Sequence, residues 1–80
     1  MAVEYELAQL LDGPLAGDVV RAPIQWHLPA PFIGVPEPVL DEEAETLDWW
    51  TATYRFPAQD IPPQRGRLWL YQYVRTIPPS

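Results

Sequence analysis

Residues 10–20 read LLDGPLAGDVV. Two apolar runs flank Asp12-Gly13-Pro14-Leu15-Ala16-Gly17-Asp18, and what those seven residues form decides the fold. A phosphate loop opens a helix whose N-terminus faces the anion, and the Walker type adds a lysine and a Ser or Thr. Here Val19-Val20-Arg21-Ala22-Pro23 has strand character, the chain has no lysine, and Asp12 and Asp18 would repel an anion. A calcium loop gathers several closely spaced carboxylates; only Asp12 and Asp18 are at hand. A turn needs nothing further. Asp12 can accept from nearby backbone N–H groups, Pro14 presets φ, and Gly17 tolerates positive φ. Gly13, Pro14 and Gly17 are therefore turn residues, and the stretch is the loop of a β-hairpin.

Upstream, residues 3–11 alternate: Val3, Tyr5 and Leu7 against Glu4, Glu6 and Ala8, the pattern of a half-buried strand. Downstream, residues 18–22 make a second strand that Pro23 is expected to stop, with 24–28 continuing past the proline or forming an edge strand. Residues 29–38 hold four prolines and read as a stiff, extended crossover. Its Phe32, Ile33 and Val35 are poor choices for a free linker. Residues 40–50 begin like a short helix. Asp41 suits its N-cap, Glu42 and Glu43 suit its first turn, and Leu40, Ala44 and Leu47 share a face. A solvated acidic loop is the competing reading. Residues 49–56 form a strand, with Trp50, Ala52, Tyr54 and Phe56 opposite Trp49, Thr51, Thr53 and Arg55. A turn-rich loop at 57–66 leads to the last strand, 67–75. There Trp69, Tyr71 and Tyr73 oppose Leu68, Leu70, Gln72 and Val74.

The expected architecture is one small all-β domain over residues 1–80. It is an antiparallel sheet of four to five strands with at most one short helix. An N-terminal hairpin (3–22), a Pro-rich crossover (29–38), an acidic segment (41–48) and a C-terminal hairpin (49–75) follow one another.

Leu11-Asp12-Gly13-Pro14-Leu15-Ala16-Gly17 also resembles a motif in small actinobacteriophage proteins of unknown role: a strand, then Gly-Gly-Pro-x-Asp-Gly, then a second strand. Those proteins often carry a proline-rich middle and an aromatic last strand. Asp12 stands where the first Gly is expected, and Ala16 where the Asp is expected. The resemblance implies a phage-borne accessory protein and no particular activity.

Composition narrows the role. A chain of 80 residues has a marginal core and usually leans on disulfides, a metal, oligomerisation or a partner. It has no cysteine, so no disulfide or thiolate site, and its lone His27 argues against zinc. Eleven prolines coexist with 48% hydrophobic residues, four Trp and four Tyr, a bulk that disordered chains lack. No run approaches the roughly 20 apolar residues of a membrane helix. The first ten residues have no basic flank, so no signal peptide is expected. The expected location is a virion or the host cytoplasm.

Catalysis is not expected. There is no Cys or Lys to act as nucleophile, the one serine is Ser80, and nothing marks a pocket around His27 or the carboxylates. No cofactor or metal is expected. Nor is nucleic acid, because the net charge is −6 and the arginines are scattered, although Arg67, Trp69, Tyr71, Tyr73 and Arg75 alternate as a stacking platform does. A strand with aromatics on both faces (49–56) beside a strand apolar on both faces (67–75) points instead to a protein interface. Its expected residues are Trp49, Trp69, Tyr71 and Tyr73, with Phe32 and Ile33 laid along the partner. The partner is expected to be a capsid or virion protein, with the chain an oligomer or part of an assembly. The most concrete form is a capsid-decorating or virion-associated subunit. The alternative is an acidic inhibitor that turns Asp41, Glu42, Glu43, Glu45 and Asp48 on a basic site of a host protein.

Overall fold

The computed structural model describes residues 3–79. Seven strands follow one another: β1 (Glu4–Leu10), β2 (Val19–Gln25), β3 (Leu28–Pro29), β4 (Phe32–Asp41), β5 (Thr46–Arg55), β6 (Gln64–Arg65) and β7 (Leu68–Ile77). Among the described residues there is no helix. The fold is small and all-β, in one sheet ordered β3-β2-β1-β7-β5-β4, with β6 beside β7. It corrects the expected antiparallel sheet of four to five strands in two ways. There are more strands, and the first and last long strands, β1 and β7, pair in parallel. They lie at opposite ends of the chain, so no local signal sets their direction.

The prolines account for the extra strands. Proline is tolerated in a strand where its missing N–H would face away from the ladder. Pro23 does not stop β2. Its carbonyl accepts from the Ala30 N–H on the side away from β1 (2.9 Å), so the absent donor falls just past the short β2–β3 ladder and outside the β1–β2 ladder. The segment 29–38, read as a crossover, is the end of β3 and most of edge strand β4. The Phe56 N–H donates to the Pro31 carbonyl at 2.8 Å, which sets the phase of the β4–β5 ladder. Ile33, Val35, Glu37, Val39 and Asp41 then turn their backbone groups to β5. Phe32, Gly34, Pro36, Pro38 and Leu40 turn theirs to the free edge. Pro36 and Pro38 cost the ladder nothing and strip donors from that edge.

The acidic segment is a hairpin turn and not a helix. Asp41 caps no helix; its Oδ1 accepts from the N–H groups of Glu43 (3.1 Å) and Ala44 (3.3 Å) inside the hairpin turn. Glu45 then takes φ 52° and the chain reverses so that Asp41 pairs with Thr46. Leu40 and Leu47, which would share a helix face, instead oppose each other across the ladder.

The core lies on one face of the sheet. Ala8, Leu10, Ala22, Ala52, Tyr54, Trp69 and Tyr71 are buried together, with Val20, Ile24, Ile33, Val35, Phe56 and Tyr73 packed around them. A lone flat sheet could not bury tyrosines completely. This one bends along β7, whose first half pairs with β1 and second half with β5. Only Ala30 and Pro31 separate β3 from β4, so the two ends of the sheet meet there. The Tyr71 hydroxyl donates to the Ala30 carbonyl at 2.6 Å and ties the seam to the sheet's centre. Phe56 stacks edge-on to Trp69, with centroids 5.4 Å apart.

Along β1 the alternation holds, but the apolar side is outside. Val3, Tyr5 and Leu7 are exposed, while Ala8 and Leu10 are buried. Ala8 lies beside Trp69 in the parallel pair, and Glu6 on the same face accepts from the Trp69 indole N–H at 2.9 Å.

Candidate functional site

The stretch at 10–20 is the turn between β1 and β2, and it docks on the sheet. The Leu11 N–H donates to the Tyr71 carbonyl (3.0 Å), continuing the parallel ladder one step past β1. The Asp12 carboxylate then accepts from the Tyr73 N–H at 2.7 Å. Its partner is a strand 61 positions away rather than its own turn. The Tyr54 hydroxyl donates to the Asp12 carbonyl and accepts from the Leu15 N–H. This loop is architecture.

The aromatic residues expected at an interface divide. Trp69 is 8% exposed and Tyr71 is fully buried, so both belong to the core. Tyr73 is half-buried, its ring tilted at 60° against that of Tyr54 with centroids 5.5 Å apart and its hydroxyl bonded to that of Thr76 at 2.6 Å. Ile33 packs on the core. Trp49 and Phe32 are exposed on the face opposite the core, at the two ends of the β4–β5 hairpin. The other face of β7 is covered at Leu70 and Gln72, while Val74 is exposed. Leu70 is buried there, its N–H donating to the Pro63 carbonyl (3.0 Å). The Gln72 side chain accepts from the Gln59 N–H (3.1 Å). The loop after β5 therefore covers that face at these two residues.

The far half of the β4–β5 hairpin stays uncovered. The pairing of β5 with β7 ends at Thr51–Ile77, whereas β4 and β5 stay paired out to Asp41–Thr46. Residues 36–50 form a two-stranded arm projecting past the sheet. Its outer face carries Pro36, Pro38, Leu40, Leu47 and Trp49. Leu40, Leu47 and Trp49 are 62%, 56% and 58% exposed. Its inner face carries Glu37, Val39, Asp41, Asp48 and Trp50. Glu42, Glu43 and Glu45 sit at the tip, and all five expected acidic residues are exposed. No lysine or arginine occurs between Arg21 and Arg55, so the arm carries only negative charge.

Sequence reasoning found Trp49 and the acids but missed Leu40 and Leu47. Their spacing fits one helix face as well as it fits a cross-strand pair around a four-residue turn. It also missed Trp26, which is 86% exposed. Trp26 and His27 form the two-residue β2–β3 turn, both at positive φ (56° and 66°). Glycine and asparagine are the usual residues there, and the sequence has neither at those positions.

Among the described residues no three His, Cys, Asp or Glu side chains stand close enough to hold a metal ion. Among the same residues no helix is long and apolar enough to cross a membrane. Ser80 lies outside the described residues. Compared with family models, with curated proteins and with solved structures, the chain matches none.

Proposed function

We propose that this chain is a non-enzymatic, phage-borne protein that acts by binding other proteins, most concretely as a small capsid-decorating or virion-associated subunit. The outer face of the arm carries this reading. Leu40, Leu47 and Trp49 form an apolar cluster on a ribbon that nothing among the described residues covers. A two-stranded ribbon is marginal in water by itself. Aromatic and aliphatic side chains held out together are the composition of a binding surface. Assignment to a phage rests on the resemblance carried by Leu11–Gly17.

The test is mass spectrometry of particles purified from the source. Many copies per particle in the wild type, and few with Trp49→Asp and Leu40→Asp together, support the reading. Presence in infected cells with absence from particles would sink the virion role.

A second reading has its own observation. Glu42, Glu43 and Glu45 sit at the end of a projecting, wholly anionic arm, a shape suited to entering a basic cleft of a host protein. Replacing all three by lysine abolishes binding by such an inhibitor and leaves a decorating subunit bound.

A further inference from the structure

We propose that the arm binds its partner by accepting a strand along the open edge of β5 at Leu47–Trp49, and that the incoming strand alternates apolar and basic residues. The inference rests on the protein-binding reading above and names the kind of partner.

The ladder phase leaves that edge open. Thr46, Asp48 and Trp50 turn their backbone groups to β4, so Leu47 and Trp49 turn theirs to the other side. There β7 has already ended: its last pair is Ile77 with Thr51, and Pro78 and Pro79 follow, with no N–H to extend the ladder. Among the described residues nothing pairs with the main chain of Leu47 or Trp49 on that side. The opposite edge of the same arm is treated differently. Pro36 and Pro38 on β4 remove two of its donors and leave the arm only that of Leu40 on this edge, the usual protection against strand addition. One edge of the ribbon is blocked and the other is not.

The two faces set the chemistry of the occupant. An added strand alternates its side chains between them. On the outer face it would lie beside Leu47 and Trp49, which favour apolar neighbours. On the inner face it would lie beside Asp48, with Glu37 and Asp41 on the next strand, and oppositely charged cross-strand neighbours stabilise a pair. The arm has no cation of its own, so a second copy would bring like charge to this edge. Charge complementarity therefore selects a basic partner strand. Main-chain bonds supply affinity and the alternation supplies specificity, as in other strand additions.

The test uses the full chain and a short synthetic peptide of alternating lysine and valine, read by fluorescence anisotropy and by amide exchange in NMR. The expected result is binding that weakens with salt, with the Leu47 and Trp49 amides protected when the peptide is added. A glutamate-for-lysine peptide should not bind. Leu47→Pro and Leu40→Pro each remove one arm leucine at a site whose N–H points away from the ladder. Only the first blocks the open edge. It should weaken the peptide about tenfold or more, and Leu40→Pro about threefold or less. Equal loss in both, or bound peptide without protection of the two amides, would overturn the proposal. If Leu47→Pro does not fold, the wild-type exchange measurement decides alone. Wild-type protein in particles without peptide binding removes the edge mechanism and keeps the protein-binding reading. Peptide binding with no protein in particles does the reverse for the virion role.

Discussion

The Tyr54 hydroxyl donates to the Asp12 carbonyl at 2.8 Å, joining positions 42 residues apart, and the same oxygen accepts from the Leu15 N–H at 3.3 Å. One phenol thus latches the β1–β2 loop to the C-terminal end of β5. Removing that hydroxyl leaves a part-buried carbonyl without its donor. Tyr54→Phe should lower stability by about 1–3 kcal/mol, read as a shift of the urea midpoint at unchanged slope. An unchanged midpoint would mean that the loop is not held by this residue.

Gly13 is required on two counts. Its φ is +76°, and a Cβ there would stand 2.5 Å from Cγ of Tyr73. Gly17 shares the positive φ, at +89°, but an added Cβ meets nothing within 4 Å. Gly17→Ala should therefore cost only the backbone strain, about 1–2 kcal/mol. Gly13→Ala should cost that plus overpacking, about 2–5 kcal/mol in all. Thermal melts of the two variants check the order, and a reversed order would contradict the docked loop.

Alkaline pH should unfold the protein through its tyrosines. Burial pushes the Tyr71 phenol up to about 12, and burial chiefly raises Tyr54 as well. The folded state then keeps protons that the unfolded chain releases from its ordinary value of 10.0 upward. The stabilisation is complete below pH 10 and is lost as pH climbs toward 12. Urea titrations across that range, with Tyr71→Phe as control, should show a decline that the variant reduces. Stability rising with pH there would contradict the burial of these rings.

Two tryptophans should behave oppositely. Trp69→Ala empties a core position and breaks the bond to Glu6, so it should cost about 3–5 kcal/mol. Trp49→Ser should cost less than about 1 kcal/mol and improve solubility, because the ring packs on the open face of the arm. Denaturation and sedimentation of both variants test this. A Trp49 variant as damaged as the Trp69 one would place Trp49 in the fold rather than in a binding surface.

The edge prolines should prove to be solubility devices. Pro36→Val with Pro38→Val restores donors on the free edge of β4 without touching its bonds to β5. The folded monomer should persist and self-associate, visible in light scattering as concentration rises. Scattering identical to wild type would remove that role.

Local chemistry was legible wherever neighbours in sequence decide it. The turn at 12–18, the short reach of the Asp41 carboxylate to the next N–H groups, the alternation in 49–56 and the aromatic side of 67–73 follow from φ preferences, side-chain reach and the two-residue period of a strand. Those forces act over a few residues, so the sequence by itself determined an all-β chain and the strand character of its ends. Tertiary structure alone decided which faces go inside. Trp69 and Tyr71 are core because the sheet bends along β7 and closes at Ala30–Pro31. Val3, Tyr5 and Leu7 are outside because the parallel pairing with β7 sets Ala8 beside Trp69. Whether a proline breaks a strand or guards its edge depends on the side to which its missing N–H would point. Pairing fixes that side, so Pro36 and Pro38 acquired their meaning only when β5 was laid beside them.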